Sequence, residues 1–198
     1  LESNSVDLVL TDPPYGNAAH YGRDRKKILN DETPLVGLLA LPECYRVLRR
    51  NRCCFFFLGI QHLPFVRSFV EQYTSFTIRD VIVWDKCQIG FGHGFRKRHE
   101  LILALEKGRP KYYDHGLANV LCVNRVHCPD HPHEKPVELL RLLIDHATLP
   151  GDLVIDPFMG SGSTGVVAAF LDRRFCGFEL DKGYFQAANS NINNQNAV

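Results

Sequence analysis

Short apolar runs alternate along the chain with longer segments in which apolar residues recur every three or four positions. The short runs predict β-strands at residues 6–10, 52–58, 76–85, 99–105, 153–155 and 174–178. The longer segments predict helices at residues 35–49, 62–73, 134–147, 163–171 and 182–193. Because strands and helices alternate, we predict an α/β fold with an open, mostly parallel, Rossmann-like sheet.

The segment between residues 76–85 and 99–105 departs from this alternation, because it shows no helical periodicity. Two strands joined in this way are typically antiparallel, and we predict that this antiparallel pair lies at an edge of the sheet. Pro42 falls inside the helix predicted at residues 35–49 and predicts a kink or a boundary there. The polar segments 16–32 and 108–132 are predicted to be irregular.

The composition is that of one globular domain: the chain has 198 residues, of which 45% are hydrophobic and 23% are charged. No apolar run is long enough to span a membrane, and no basic-then-apolar start indicates secretion. Seven cysteines without a CxxC spacing indicate reduced thiols in a cytoplasm. The Cys and His residues between positions 122 and 133 fit no regular zinc spacing, so we predict no metal site.

The formal net charge of +1 does not by itself indicate a nucleic-acid partner, so the distribution of charge matters more. Residues 20–27 and 93–99 each combine several basic side chains with aromatic ones. Either cluster can be an ordinary solvated loop or a contact for the phosphates of a nucleic acid. On the second interpretation, the residues that contact the phosphates are Arg23, Arg25, Lys26, Lys27, Arg96, Lys97 and Arg98.

The first predicted strand leads directly into a turn formed by Thr11, Asp12, Pro13, Pro14, Tyr15 and Gly16. The two prolines remove backbone donors and favour extended conformations, so the chain leaves the strand stiffly. The turn presents a carboxylate, backbone carbonyls and an aromatic ring together. This set suits a planar base with an exocyclic amine, because the ring can stack on the base while oxygen atoms accept the amine hydrogens. An ordinary strand-to-loop turn is the alternative.

A second motif, at residues 153–164, combines a short strand, a glycine-rich turn and the start of a helix. Gly160 and Gly162 allow a ligand to approach the backbone closely. The next strand ends near Glu179, a position suited to binding both hydroxyls of a ribose. Asp156 would repel a pyrophosphate, and the glycine spacing differs from that of dinucleotide enzymes. A cofactor with an adenosine and no phosphate fits better, and S-adenosylmethionine is one.

Together the two motifs resemble those of the DNA amino-methyltransferases, which methylate N6 of adenine or N4 of cytosine. Residues 11–16 resemble their catalytic motif, residues 156–162 their cofactor motif, and Glu179 their ribose-binding acid. Residues 131–140 resemble the segment that closes over the methionine end of the cofactor. The catalytic motif comes first, as in the beta group of that family, and the resemblance covers nearly the whole chain.

The resemblance implies one methyltransferase domain over residues 1–198, with a catalytic half (1–107), a short recognition segment (108–130) and a cofactor half (131–198). It implies S-adenosylmethionine as cofactor and double-stranded DNA as substrate, as in restriction–modification systems in the cytoplasm of bacterial or phage-infected cells. The implied catalytic residues are Asp12, Pro13, Pro14 and Tyr15. The implied cofactor-binding residues are Lys135, Pro136, Asp156, Pro157, Phe158, Gly160, Ser161, Gly162 and Glu179.

Two departures from the family pattern affect what we expect of the chain. In the family, a strand and an acidic turn that hold the cofactor adenine precede the catalytic strand, so we expect an upstream element before residue 1. The recognition segment is short, so we expect sequence recognition to be short, relaxed or supplied by another chain. That chain would be a second copy in a homodimer or a separate specificity partner.

Asp12 favours adenine N6 as the target, because in the family an aspartate before Pro-Pro-Tyr goes mostly with adenine. Cytosine N4 stays open as an alternative. A truncated or inactive methyltransferase-like module that binds DNA without turnover is a second alternative, which the intact Asp12, Tyr15, Gly160 and Glu179 disfavour. A dehydrogenase on the same sheet is disfavoured by the glycine spacing. No Pro-Cys pair is present, which argues against methylation of cytosine C5.

Overall fold

The computed structural model describes residues 1–14, 35–90, 94–125 and 135–195. Within these ranges the strands are β1 (Val6–Thr11), β2 (Leu48–Leu58), β3 (Thr77–Asp85), β4 (His99–Lys107), β5 (Val120–Cys122), β6 (Leu153–Asp156) and β7 (Arg174–Gly177). The helices are α1 (Leu35–Val47), α2 (Leu63–Tyr73), α3 (Val137–Ala147), α4 (Ser163–Phe170) and α5 (Lys182–Gln195), with a 3-10 turn at Ile60–His62. Each strand and helix predicted from the apolar pattern is present, with small differences in its bounds.

The strands form one sheet in the order β5–β3–β4–β2–β1–β6–β7. β4 is antiparallel to both of its neighbours, and the other paired strands are parallel. The predicted α/β fold with a mostly parallel sheet and an antiparallel pair is therefore confirmed. The position of that pair differs from the prediction, because β4 lies inside the sheet and β5 forms the edge. β5 was expected to be irregular, since three residues are too few to show a periodicity.

Helices cover both faces of the sheet, and each face buries an apolar cluster. The cluster on the side of α1 and α2 includes Leu38, Leu41, Val66, Val70, Phe56 and Leu103. The cluster on the side of α3 and α4 includes Leu139, Leu143, Val167, Leu8, Phe55 and Ile102. Burial on both faces explains why the first two strands contain nearly continuous apolar runs. In the described ranges, no helix combines the length and the apolar character needed to cross a membrane.

The first half of β2 is irregular, and it was not predicted as strand. β2 begins at Leu48, although its apolar run begins only at residue 53. Its register with β1 shifts between Val6 and Leu8, and Asn51 has a φ of 62°, a conformation that asparagine tolerates better than most residues. Because most side chains at residues 48–52 are polar, the apolar pattern did not predict this part of the strand. α1 includes Pro42 in one continuous helix, so the boundary considered there is absent.

The irregular stretch of β2 supplies arginines that neutralise a buried carboxylate at the start of β1. Asp7 is completely buried. Its two oxygens lie 2.6 and 2.7 Å from Arg49 Nη1, and Oδ1 lies 3.0 Å from Arg52 Nη2. Its Oδ2 also accepts a 2.9 Å hydrogen bond from the backbone N–H of Leu153. Because Leu153 begins β6, the single carboxylate of Asp7 ties β1 to both of its neighbours in the sheet.

Asp7→Asn is expected to lower the free energy of unfolding by roughly 3 kcal/mol, because two arginines lose their counter-charge while the amide keeps the shape. Urea denaturation followed by circular dichroism measures the change. Glu43→Gln is the matched control, because it removes a carboxylate from an exposed pair with Arg46 and should barely move the midpoint. Equal shifts in the two variants would contradict the structural role of Asp7.

Candidate active site

β1 lies where the strand order of the sheet reverses, with the parallel strands β2 and β6 on its two sides. In open α/β sheets, such a point leaves a crevice at the carboxyl ends of the strands, where ligands bind. Both sequence motifs begin there, because Asp12 follows β1 and Asp156 ends β6. The hydroxyl of Thr11 donates a 3.0 Å hydrogen bond to Asp156 Oδ1. The fold therefore brings the two predicted motifs into direct contact.

The proline turn after β1 packs against α1. Pro13 is buried, while Asp12 and Pro14 are partly exposed. A Cβ atom added at Gly37 in α1 would lie 2.5 Å from the Cβ of Pro13, closer than packed carbon atoms approach each other. Glycine at position 37 thus lets α1 support the turn, a contact that no sequence pattern reveals. Tyr15, the predicted stacking residue, lies outside the described residues.

The side chain of Asp12 faces Lys135, which lies just before α3. The Lys135 ammonium contacts Asp12 Oδ2, and it lies 3.5 Å from Glu100 Oε2. Lys135 is only 8% exposed. Burial alone would lower the pKa of the Lys135 ammonium, but Asp12 and Glu100 outweigh burial and raise this pKa above its ordinary value. Lys135 therefore places a permanent positive charge beside Asp12.

Glu100 extends this pair into a row of alternating charges. Its Oε1 accepts a 2.5 Å hydrogen bond from Lys86 Nζ. Burial opposes the ionisation of Glu100, yet Lys135 and Lys86 hold its pKa below the ordinary value. The order of the row is Asp12, Lys135, Glu100, Lys86. Sequence reasoning missed Glu100 and Lys86, because the four residues come from separate parts of the chain and form no local pattern.

Asp156 holds the glycine-rich turn from beneath. It is 3% exposed, and its carboxylate accepts hydrogen bonds from the Thr11 hydroxyl (3.0 Å), the Phe158 N–H (3.0 Å) and the Thr164 hydroxyl (2.8 Å). Burial raises the pKa of Asp156 to about 6, although these three donors work in the opposite direction. Asp156 thus shapes the backbone that faces the crevice, and its direct contact with a cofactor stays a prediction.

The glycine-rich turn brings Gly160 beside Glu179. The Gly160 N–H donates a 3.0 Å hydrogen bond to Glu179 Oε2, and the Asp181 N–H donates a 2.8 Å hydrogen bond to Oε1. Each carboxylate oxygen keeps a lone pair that can accept a hydroxyl. Gly160 has a φ of 52°, and a Cβ there would meet no protein atom within 4 Å. This open backbone, the carboxylate and the exposed rim of Phe178 and Leu180 fit an adenosine-containing cofactor.

Ser161 and Gly162 join the glycine-rich turn to the last helix. Gly162 has a φ of 86° at the start of α4, and a Cβ there would lie 2.9 Å from the Cβ of Ala188 in α5. The carbonyl of Ser161 accepts a 3.0 Å hydrogen bond from Asn191. The other residues predicted to bind the cofactor are at least partly buried, and their contacts with it stay predictions: Pro136, Pro157 and Phe158.

The second basic cluster lies on the hairpin between β3 and β4, where Arg96, Lys97 and Arg98 are exposed. The guanidinium of Arg98 forms hydrogen bonds of 2.7 and 2.8 Å with the carboxylate of Asp85. Phe95, next to these residues, is fully exposed. The structure thus places an aromatic ring beside the exposed positive charges. Several predicted residues lie outside the described ranges: Arg23, Arg25, Lys26 and Lys27, with the Cys and His residues at 127–133.

Asp156→Asn is expected to make stability less dependent on pH. The pKa of Asp156 is about 6 in the folded protein against an ordinary value of 3.8, so the unfolded chain ionises first as the pH rises. The contribution of Asp156 to stability is therefore present below about pH 4 and falls by up to about 3 kcal/mol as the pH rises past 6. The amide oxygen of asparagine still accepts hydrogen bonds but does not titrate.

Urea titrations at fixed pH values between about 4.5 and 7.5 measure this effect. The free energy of unfolding of the wild type, minus that of Asp156→Asn, should decrease across this range and then level off. A difference that is constant with pH would contradict the raised pKa of Asp156.

Comparison with known proteins agrees with the geometry of this crevice. The family model described as DNA methylase, for N6 and N4 methyltransferases, matches residues 6–121 and 118–190. The methylase YubD of Escherichia coli strain K12 is 35% identical over 96% of this chain and 82% of its own length. The type II methyltransferase M.HpaI of Haemophilus parainfluenzae is 29% identical over 98% of this chain and 70% of its own length.

A solved structure of a related protein, the M1.HpyAVI–SAM complex, has the same fold. Its TM-score is 0.75 and its sequence identity 26%, over 96% of this chain and 89% of that chain. The match of the family model to most of the chain, together with the identity to YubD, shows the family. This chain belongs to the DNA methylase family of N6/N4 methyltransferases, whose methyl donor is S-adenosylmethionine.

Proposed function

We propose that this protein methylates N6 of adenine in double-stranded DNA. The observation that carries the proposal is the position of Asp12 at the crevice, in contact with the buried Lys135. Its neighbour Thr11 is hydrogen-bonded to Asp156 beneath the glycine-rich turn. Membership of the family indicates methyl transfer to an exocyclic amine of DNA. We propose adenine as the target because Asp12 precedes the Pro-Pro-Tyr sequence. Cytosine N4 is the alternative, because both targets are conjugated amines.

Glu179 and the backbone at Gly160 are the groups that would hold the cofactor. The lone pairs left on the Glu179 carboxylate would accept the ribose hydroxyls, and exposed Phe178 and Leu180 supply apolar surface for the adenine. When bound, S-adenosylmethionine supplies an electrophilic methyl group at this crevice. The buried carboxylate of Asp156 keeps the turn in one conformation, so the backbone at Gly160 is ordered before a ligand arrives.

Asp12 and the carbonyl of Pro13 are the groups that would accept the two hydrogens of the target amine. An aryl amine is a poor nucleophile, because its lone pair is delocalised into the ring. Two acceptors favour a pyramidal nitrogen, whose lone pair is then free. The negative charge of Asp12 stabilises the positive charge that develops on that nitrogen, so the contact is stronger in the transition state than in the ground state.

Lys135 is proposed to position Asp12 for this task. Its ammonium is itself fixed by burial and by contacts with two carboxylates, so it holds the Asp12 carboxylate in one orientation at the crevice. The second carboxylate, Glu100, offsets the charge of Lys135. Asp12 therefore keeps most of its electrostatic effect on the amine despite the neighbouring ammonium.

DNA binding is assigned to the two basic segments and to Tyr15. A base inside a duplex hides its amine, so the base must be flipped out, and Tyr15 is proposed to stack on it. Arg96 and Lys97 are exposed beside Phe95, whereas the charge of Arg98 is already matched by Asp85. We therefore expect Arg96 and Lys97 to contact phosphates more strongly than Arg98. Residues 23–27 are proposed to do the same, with little dependence on base sequence.

The segment at residues 108–130 is proposed to take part in target recognition. The segment is short, and its Tyr112 and Leu121 pack against the core of the sheet. This supports the proposal that a second copy or a specificity partner completes recognition.

The halves 1–107 and 131–198 are proposed as the catalytic and cofactor parts of one domain. The relatives described above come from bacteria, and we propose that the protein acts in a bacterial cytoplasm.

Incubation of unmethylated duplex DNA with the protein and S-adenosylmethionine is expected to yield N6-methyladenine, measured by mass spectrometry of the nucleosides. Asp12→Asn keeps the shape of the side chain but loses its charge, so the rate should fall by about two orders of magnitude or more. Glu43→Gln, on the exposed face of α1, is the control and should keep the full rate.

The products of this experiment separate the proposals. N4-methylcytosine without N6-methyladenine would refute the choice of adenine and leave amine methylation standing. DNA binding without any methylated nucleoside would instead favour the inactive module.

Glu179→Ala and Lys135→Met are expected to separate cofactor binding from turnover. Loss of the charged ribose acceptor in Glu179→Ala should weaken S-adenosylmethionine binding by about tenfold or more in calorimetry. Lys135→Met keeps the apolar stem, so cofactor affinity should stay within about threefold while kcat falls. An equal loss of affinity in both variants would place Lys135 at the cofactor, and unchanged affinity in Glu179→Ala would remove Glu179 from the cofactor site.

A further inference from the structure

Two exposed cysteines, Cys87 and Cys122, lie next to each other on the side of the sheet where the parallel strands end and the crevice lies. Cys87 follows β3, and Cys122 ends the neighbouring strand β5. Their sulfur atoms lie within 4.8 Å of one another. The other cysteines in the described ranges are buried or half-buried, namely Cys44, Cys53, Cys54 and Cys176.

The backbone holds these two thiols together. Asp85 is the ladder partner of Cys122, and the Asp85 carbonyl accepts a 3.0 Å hydrogen bond from the Val123 N–H. The same carbonyl oxygen lies 3.6 Å from the Cys87 sulfur, because Cys87 turns back with a φ of 55°. Cys87 follows Asp85 by two residues, so this turn brings its sulfur beside that of Cys122, an approach that a disulfide requires.

We propose that Cys87 and Cys122 form a reversible disulfide when the protein meets a small-molecule disulfide such as oxidised glutathione. Cytoplasmic disulfides of this kind are transient and respond to the redox state of the cell. The bond would join the base of the β3–β4 hairpin to the three-residue edge strand β5. The proposal concerns the two sulfur atoms alone and does not depend on the proposed function.

A metal ion is a less suitable occupant of the pair, although the carboxylate of Asp85 lies within 4.8 Å of both sulfurs. Asp85 Oδ1 already accepts hydrogen bonds from Arg98 Nε (2.7 Å) and from the Cys87 N–H (2.8 Å). Its Oδ2 accepts a 2.8 Å hydrogen bond from Arg98 Nη2. Because the Arg98 guanidinium is bound to Asp85, it would repel a metal cation from this carboxylate. The geometry therefore favours oxidation of the two thiols.

The reaction proceeds by two thiol–disulfide exchanges. Partial desolvation and the Asp85 carboxylate raise the pKa of the Cys87 thiol, so we assign the first attack to Cys122. The Cys122 thiol loses its proton to water, and its sulfur attacks oxidised glutathione and releases one glutathione thiolate. The Cys87 thiolate then attacks the Cys122 sulfur and releases the second. The two protein thiols lose two electrons and two protons, and the oxidised glutathione becomes two thiols.

The test is peptide mapping of the folded protein after incubation with oxidised glutathione, acid quenching and alkylation. Trypsin should yield residues 87–96 joined to residues 112–125, lighter by two hydrogens than the two free peptides. Dithiothreitol should restore both thiols. Cleavage after Arg125 separates Cys122 from Cys128, so the bond can be assigned to one cysteine. Hydrogen exchange of the backbone N–H groups in β5 should slow when the bond forms.

Three variants complete the test. Cys87→Ser and Cys122→Ser should each abolish the joined peptide. Cys87→Ser should leave glutathione on Cys122, whereas Cys122→Ser should leave much less glutathione on Cys87, because Cys122 makes the first attack. Cys128→Ser is the matched control and should leave the joined peptide intact. The proposal is overturned if the joined peptide forms only in urea, if Cys122 pairs with Cys128 instead, or if neither thiol reacts in the folded protein.

Discussion

The buried hydrogen bond from Thr11 to Asp156 is the interaction on which the site depends, because it joins two motifs that are 145 positions apart in the chain. It lies across the parallel pair β1–β6, just below the crevice. At the other end of the same pair, Asp7 accepts the N–H of Leu153. β1 and β6 are thus fixed to each other at both ends, and neither strand can slide without leaving a buried carboxylate unsatisfied. The crevice keeps its shape for this reason.

Electrostatics at the crevice follow from the alternation of charge in the row Asp12, Lys135, Glu100 and Lys86. Because two carboxylates alternate with two ammonium groups, the row is close to neutral as a whole, and Asp12 carries its charge at one end of it. Each buried member of the row keeps a partner of opposite sign. The buried ammonium of Lys135 is tolerable only because carboxylates lie on both of its sides.

The apolar periodicity predicted the strands, the helices and their α/β order, since burial on two faces of a sheet imposes that pattern on the sequence. The positions of Asp12 and Glu179 were also predictable, because each lies within two residues of the end of a strand at the same edge of the sheet. Contacts between distant residues, such as Gly37 with Pro13 and Lys86 with Glu100, leave no local pattern. The three residues of β5 are likewise too few for one. The contact of Lys135 with Asp12 is another such contact, and the binding of Lys135 to the cofactor stays a prediction.

The antiparallel direction of β4 allows the length of the β3–β4 hairpin to vary. Because β4 runs against its neighbours, its first residues lie at the same edge as the last residues of β3. Lys86 and Glu100 close the base of the hairpin there, and the backbone N–H of Lys86 donates a 2.9 Å hydrogen bond to the carbonyl of Arg98. None of the described residues beyond this closure, 87–90 and 94–98, belongs to the apolar core, and the entropy of closing a loop grows only slowly with its length. The hairpin can therefore lengthen or shorten while Glu100 continues to hold Lys135 and Lys86 in place.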